Sequence, residues 1–239
     1  MAIRALIFDV FGTLVDWRTS IIAELRAFGA ERGIANVDWS SFVDDWRAAY
    51  VPAMDRVRLG AQPWTNLDAL HRASFDELAE RYELHVLGER ERAHCANAWH
   101  RLEAWPDVPA ALKRLRKAYV LAPLSNGNVS LLIDLARFAK LDFDTILSAE
   151  LFRHYKPDPQ TYLGAAALLG CEPGEVLMVA AHNGDLHAAA ALGLKTAFIP
   201  RSAEYGPRQT KDFAADAGID YPASDLDDLA DRLGIKEYA

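Results

Sequence analysis

Ile7-Phe8-Asp9-Val10-Phe11-Gly12-Thr13-Leu14-Val15 is the stretch on which the fold turns. The apolar run 5–8 predicts a strand that delivers one aspartate, Asp9, to its end. A Gly-Thr turn follows and sends the chain off in another direction. A carboxylate so placed sits at the carboxyl edge of a parallel sheet, where open α/β folds hold their ligands. Backbone N–H groups of the turn can surround one of its oxygens while the other faces a substrate, an arrangement suited to a nucleophile. The same residues also suit a plain aspartate cap on the next helix.

Outward from this turn, the chain divides into two patterns. Apolar residues at helical spacing (Ile21, Ile22, Leu25, Phe28) predict a helix over 17–32, stopped at Gly33. Three more helices follow at 38–57, 66–82 and 89–102, with no strand-like run among them. From Pro106 helices and strands alternate. Strands are predicted at 118–124, 145–148, 176–180 and 195–199, and helices at 108–117, 129–140, 158–169, 186–192 and 226–233. Repeated βα units predict an α/β fold, a doubly wound parallel sheet of Rossmann-like core with helices on both faces. The first strand belongs to that sheet, because Asp9 needs its edge. The expected domains are a core of residues 1–15 and 103–239 and an inserted helical cap of 16–102, lying over the site.

Composition narrows the class. With 239 residues the chain buries enough surface to need no disulfide or metal for stability. Two isolated cysteines, Cys95 and Cys171, fit a reducing compartment. The early first strand leaves no room for a signal peptide, and no apolar run has the length of a membrane span. The expectation is a cytoplasmic protein. A net charge of −8 argues against nucleic acid as a partner. An anionic substrate then has to be held by local cations against the overall field.

Three more strand ends supply polar groups that can converge on Asp9. Ser125-Asn126-Gly127-Asn128 ends the second core strand and opens a helix; it suits either an anion site or an ordinary helix cap. Tyr155-Lys156-Pro157-Asp158-Pro159 follows the third, aiming a lysine that would favour an ionised Asp9, although a lone lysine is most often solvated. Ala180-Ala181-His182-Asn183-Gly184-Asp185 follows the fourth. Its histidine suits a water- or charge-positioning role as well as a structural one.

In this order, and with Asp-x-x-Gly-Thr and Lys-Pro-Asp, the chain resembles the haloacid dehalogenase superfamily over nearly its whole length. Phosphatases of that superfamily carry a second aspartate two positions after the nucleophile as general acid. Here that position is Phe11, which cannot protonate a leaving alkoxide. The motifs Phe-Asp-x-Phe/Tyr-Gly-Thr-Leu, Ser-Asn-Gly and Tyr-Lys-Pro-Asp, with Trp46-Arg47 in the helical block, are similar to those of the type II 2-haloacid dehalogenases.

That resemblance implies an enzyme with no metal and no cofactor, acting on a small anionic 2-haloacid. Asp9, within a turn that includes Thr13, would displace halide from C2 to form an aspartyl ester, which water then hydrolyses at the Asp9 carbonyl. Ser125, with backbone N–H groups of the first loop, would hold the substrate carboxylate, and Arg47 and Asn126 the halide. Lys156, oriented by Asp185, would keep Asp9 ionised, and Tyr162 matches a site tyrosine. The family also implies a homodimer and the L enantiomer. The best-known members carry serine and asparagine where this chain has Ala180 and His182. Either His182 takes over as the water-positioning base, or Asn183 repairs the loop one residue on. The Ala-Ala-His-Asn variant resembles a subgroup with members that accept fluoroacetate, and Trp64 could tighten the pocket for fluoride or simply pack the cap. Two rivals stand beside this reading: a Mg²⁺-dependent phosphohydrolase of the same fold, and a binding protein with a degenerate site. A phosphonate-cleaving enzyme would need a cap lysine, and residues 17–102 contain none.

Overall fold

In the computed structural model, which describes residues 2–236, the run at the start of the chain forms β1 (Ala5–Phe8), buried on both faces. Four helices follow before the next strand: α1 (Trp17–Glu31), α2 (Trp39–Arg58), α3 (Leu67–Arg81) and α4 (Glu89–Ala96), the last continued by a 3₁₀ turn at Asn97–His100. Asp16, Asp38 and Asn66 start the first three, each accepting from backbone N–H groups of the first turn. Then come α5 (Val108–Leu115), β2 (Val120–Ser125), α6 (Val129–Phe138), β3 (Leu147–Ser148), α7 (Ala149–Phe152), α8 (Pro159–Leu168), β4 (Val176–Ala180), α9 (Asn183–Ala191), β5 (Lys195–Phe198), β6 (Tyr221–Pro222) and α10 (Leu226–Arg232).

The six strands form one parallel sheet in the order β3-β2-β1-β4-β5-β6. β1 lies in the middle, so the strand order reverses beside it and a crevice opens between the ends of β1 and β4. Side chains alternate between two apolar cores. Leu6, Phe8, Leu121, Leu177 and Val179 face the core shared with the helical block, while Ile7, Ala122, Leu124, Met178 and Ala180 face α8 and α9. Inside the helical block the aromatics Phe42, Trp46, Phe75 and Trp99 pack edge to face, with centroids 5.2–6.2 Å apart. Each such pair adds about 0.5–1.5 kcal/mol to the area it buries.

Three elements differ from the sequence expectation, one of them the sixth strand, β6, a two-residue edge too short to show an alternating pattern. The helix expected at 186–192 begins at Asn183, directly after β4. Gly184 does not delay it, because first-turn N–H groups have no intrahelical acceptor to lose. The four-residue α7 was not anticipated; one turn capped by Ser148 is too short to show a period. Residue 1 and residues 237–239 of the expected core lie outside the described residues.

Polar links join the helical block to the sheet edge. Arg58 donates to Asp158 (3.0 and 2.8 Å), the Tyr155 hydroxyl to Thr65 O (2.7 Å), and Asn128 to Asp68 (2.8 Å). They hold α2 and α3 over the ends of β1, β2 and β4.

Candidate active site

Asp9 is fixed at the end of β1 by its own backbone, whose N–H donates to Val179 O (3.0 Å). Gly12, at φ +86°, lets the chain reverse. The Thr13 hydroxyl then reaches back to donate to Asp9 Oδ2 (2.7 Å) and accepts from Ala181 N–H (2.9 Å), tying the first and fourth loops together. Lys156 Nζ donates to Asp9 Oδ1 (2.8 Å) and to Asp185 Oδ2 (2.5 Å). The Tyr162 hydroxyl donates to the other oxygen of Asp185. Burial alone would push the Asp9 carboxyl up, but Lys156 and His182 beside it hold it well below the usual carboxylate range. Burial likewise works against the Lys156 ammonium, and Asp185 and Asp9 more than offset it, so its pKa is raised. The result is a buried, ionised carboxylate with every strong partner in place.

His182 caps the approach to α9 and stands between two carboxylates. Its Nδ1 lies 3.2 Å from Asp9 Oδ2 and its Nε2 lies 2.9 Å from Glu204 Oε2. Burial disfavours the imidazolium, but Glu204 and Asp9 outweigh it and raise its pKa well above the ordinary value. His182 is therefore held as a cation that donates to Asp9.

The opposite wall comes from α2. Arg47, Tyr50, Val51 and Met54 fall at i, i+3, i+4 and i+7, on one face of the helix, and all four line a cavity of about 500 Å³ above Asp9. The Arg47 guanidinium lies 4.2 Å from the Tyr50 ring centroid, 5.4 Å from Trp17 and 6.0 Å from Tyr205. Among the described residues its one side-chain hydrogen bond is long, 3.5 Å to the Tyr205 hydroxyl, and its buried Nε has no partner. A buried guanidinium held by ring faces, without a carboxylate against it, is a ready anion site.

Most of the residues singled out in the sequence converge here. Asp9, Phe11, Arg47, Asn126, Lys156, Tyr162, His182 and Asp185 line the cavity, and Thr13 supports it from behind. Asn126 accepts from Lys156 N–H (2.8 Å) through its amide oxygen. Three residues are placed elsewhere. Ser125 is fully buried outside the cavity lining, its hydroxyl accepting from Gly127 N–H (3.1 Å), because a serine at a strand end satisfies its own turn. Asn183 points away and binds Asp212, Ala214 O and Asp216 N–H, so it anchors the 212–216 loop and does not replace the missing loop groups. Trp64 packs on Tyr155, centroids 4.8 Å apart, and does not tighten the cavity. Reasoning from the sequence missed Glu204, Tyr50 and Tyr205. The helical spacing from Arg47 could have found Tyr50; no motif marks the other two.

A sequence model of the haloacid dehalogenase-like hydrolases matches residues 3–193. The chain belongs to the haloacid dehalogenase-like hydrolases. It is 30% identical over 210 residues to (S)-2-haloacid dehalogenase 4A of Burkholderia cepacia, covering 84% of each chain. It is similar to the crystal structure of an L-2-haloacid dehalogenase with 51% identity and a TM-score of 0.95, over 98% of this chain and 100% of the other. A defluorinating L-2-haloacid dehalogenase aligns at 45% identity and a TM-score of 0.94, over 97% and 95% of the two chains.

In this haloacid dehalogenase-like hydrolase two carboxylates, Asp9 after β1 and Asp185 in the first turn of α9, are bridged by the Lys156 ammonium. A carboxylate pair already matched by a lysine makes a poor cation site. Among the described residues no group of three or more His, Cys, Asp and Glu is arranged to hold a metal ion. Phe11, two residues beyond Asp9, packs edge-on to Trp99 (5.5 Å) and offers no proton to a leaving group.

Proposed function

We infer that this protein hydrolyses short 2-haloacids to 2-hydroxy acids through an ester on Asp9. The observation that carries the reading is a buried carboxylate kept ionised by Lys156 and His182, facing an unpaired, aromatic-caged guanidinium across one cavity. A carboxylate nucleophile needs its charge at neutral pH, and a departing halide needs a desolvated cation on the far side of the carbon.

In the first half-reaction Asp9 attacks C2 from the rear and the C–halogen bond breaks toward Arg47 and the Asn126 amide. The N–H groups of the turn after Asp9 receive the substrate carboxylate. In the second half-reaction water attacks the Asp9 ester carbonyl. The helical block acts as a cap that keeps water out while halide leaves. The proposal extends to fluoroacetate, since Arg47 offers fluoride a strong donor in a dry setting, and to the L enantiomer. We also take the enzyme to be cytoplasmic and dimeric. Both cysteines are free thiols, and exposed Leu151, Leu163 and Leu168 give α7 and α8 an apolar surface for a second copy.

The test is halide release from chloroacetate, fluoroacetate and L- and D-2-chloropropionate, with EDTA present and with Asp9→Asn as control. Metal-independent release that disappears in the variant is the expected result. Mg²⁺-dependent phosphate release from sugar phosphates, with no halide, would sink the reading in favour of a phosphohydrolase. Silence in both assays would favour a binding protein.

A further inference from the structure

Glu204 is the most completely enclosed carboxylate near the site, 1% exposed, and nothing in the motif pattern assigns it a task. It follows β5 in the segment Arg201-Ser202-Ala203-Glu204-Tyr205, which is pinned from several sides. Arg201 donates to Thr13 O (2.9 Å) and forms a two-pronged bridge to Asp107 (2.8 and 2.9 Å). The Trp17 indole N–H donates to Glu204 Oε1 (3.0 Å), which leaves Oε2 for His182 Nε2 (2.9 Å). Space for the carboxylate exists only because residue 12 is glycine: a Cβ there would stand 2.1 Å from Glu204 Oε1. Burying a carboxylate this deeply is costly unless its partners are specific, and these are.

We propose that Glu204 is a positioning residue for hydrolysis of the aspartyl ester, holding His182 Nε2–H so that Nδ1 takes the proton of the attacking water. The inference rests on the dehalogenase reading. In the resting site the imidazolium lies between two carboxylates. Alkylation of Asp9 removes one of these charges, while the cations Lys156 and Arg47 remain around the pocket. His182 then gives up its Nδ1 proton to solvent and keeps the Nε2 proton on Glu204. Water adds to Asp9 Cγ; one of its protons passes to Nδ1, the bond from Cγ to the substrate oxygen breaks, and the other proton leaves on the hydroxy acid. Asp9 is again a carboxylate and His182 again a cation. The single proton of the net reaction is thus released in the alkylation half, not in the hydrolysis half. Without Glu204 the imidazole is free to carry its proton on Nδ1, the tautomer that cannot accept one from water.

The experiment is Glu204→Gln with L-2-chloropropionate, followed by rapid-quench halide release, intact-protein mass spectrometry and a pH-indicator trace. The expected result is a first-turnover halide burst within about threefold of wild type, steady-state turnover lower by about 10²-fold, and an ester adduct on Asp9 that accumulates. Glu204→Asp, which keeps the charge but shortens its reach to His182, should show the same split more weakly, and it stands in if Glu204→Gln fails to fold. Equal slowing of burst and turnover without adduct, or unchanged turnover, would overturn the inference. A wild-type protein that releases no halide from any 2-haloacid would instead overturn the function on which it rests.

Discussion

The two walls of the cavity are built on opposite principles. On the sheet side, Asp9, Thr13, Lys156, Asp185, Tyr162, His182 and Glu204 form one connected hydrogen-bonded network. On the helical side the cavity is lined by one buried cation, Arg47, whose Nε has no partner among the described residues, while His71 and Trp99 lie deeper in the block. Among the described residues, every buried side-chain nitrogen or oxygen without a partner lies in the helical block: Arg47 Nε, both ring nitrogens of His71, and Trp99 Nε1. The saturated wall fixes a nucleophile and its charge before substrate arrives. The unsaturated wall keeps a cation in place by ring faces and leaves its donors for an incoming anion. A site that displaces one anion with another needs both, since donors already satisfied could not stabilise the group that leaves.

The most damaging way to break this contrast is to unsaturate the sheet side. Lys156→Met leaves Asp9 and Asp185 facing each other without their shared cation. The expected loss in kcat/KM for 2-chloropropionate is about 10³-fold or more. The pH profile should change as well. Asp9 is held below the usual carboxylate range in the wild type, so its protonation does not limit activity in mildly acidic buffer. In the variant its pKa rises and an acid limb moves up into the measurable range. A loss of activity with an unmoved acid limb would show that Lys156 does not set the charge of Asp9.

Next in size is Arg47→Lys, which keeps the charge but loses the planar group that stacks on Tyr50, Trp17 and Tyr205. The expected cost is about 10²-fold in kcat, larger for fluoride than for chloride release. Equal rates in steady-state assays would mean the wall supplies charge only.

His71 sharpens the contrast through stability. Burial lowers its pKa to about 3, so it is neutral in the folded protein, stacked 4.3 Å from Trp99. The unfolded chain takes up that proton near pH 6.5. Its contribution to stability is therefore full above about pH 6.5 and is lost progressively as pH falls toward 3. His71→Phe keeps the stacking and should gain on the order of 2 kcal/mol more near pH 4.5 than at pH 8 in denaturant titrations. An unchanged acid profile would show that His71 does not drive the loss of stability in acid.

The smallest effect belongs to Tyr205→Phe, which removes a hydroxyl 3.5 Å from Arg47 and keeps the ring. Its kcat/KM should stay within about twofold of wild type. A loss of tenfold or more would show that the guanidinium depends on that hydrogen bond and not on the ring.

Much of this was legible in the sequence, for a physical reason. Strand ends are marked by where an apolar run stops, so Asp9 and Asn126 could be assigned to one sheet edge from the sequence, while Lys156 (beyond α7) and Asp185 (in the first turn of α9) were reached through their motifs. Side-chain direction is not marked in that way. Ser125 and Asn183 stand at the right strand ends, yet each is spent on a nearby loop, since a short polar side chain takes the first donor or acceptor it meets. Trp64 gave no sign of which aromatic it would pack on. Glu204 was hidden for another reason: it has no motif of its own, and it reaches His182 only because β4 and β5 are neighbours and Trp17 closes over it.

The glycine at position 12 has a meaning for anyone who would rebuild this site elsewhere. Its missing side chain is the seat of Glu204, so the first turn and the loop after β5 form one interlocking part although 192 positions separate the two residues. Transplanting the Ala180–Asp185 turn alone into a related scaffold would deliver an imidazole without its counter-charge. The unit of exchange is threefold: the turn at 9–13, the turn at 180–185 and the loop at 201–205, with Trp17 as the bolt that joins them.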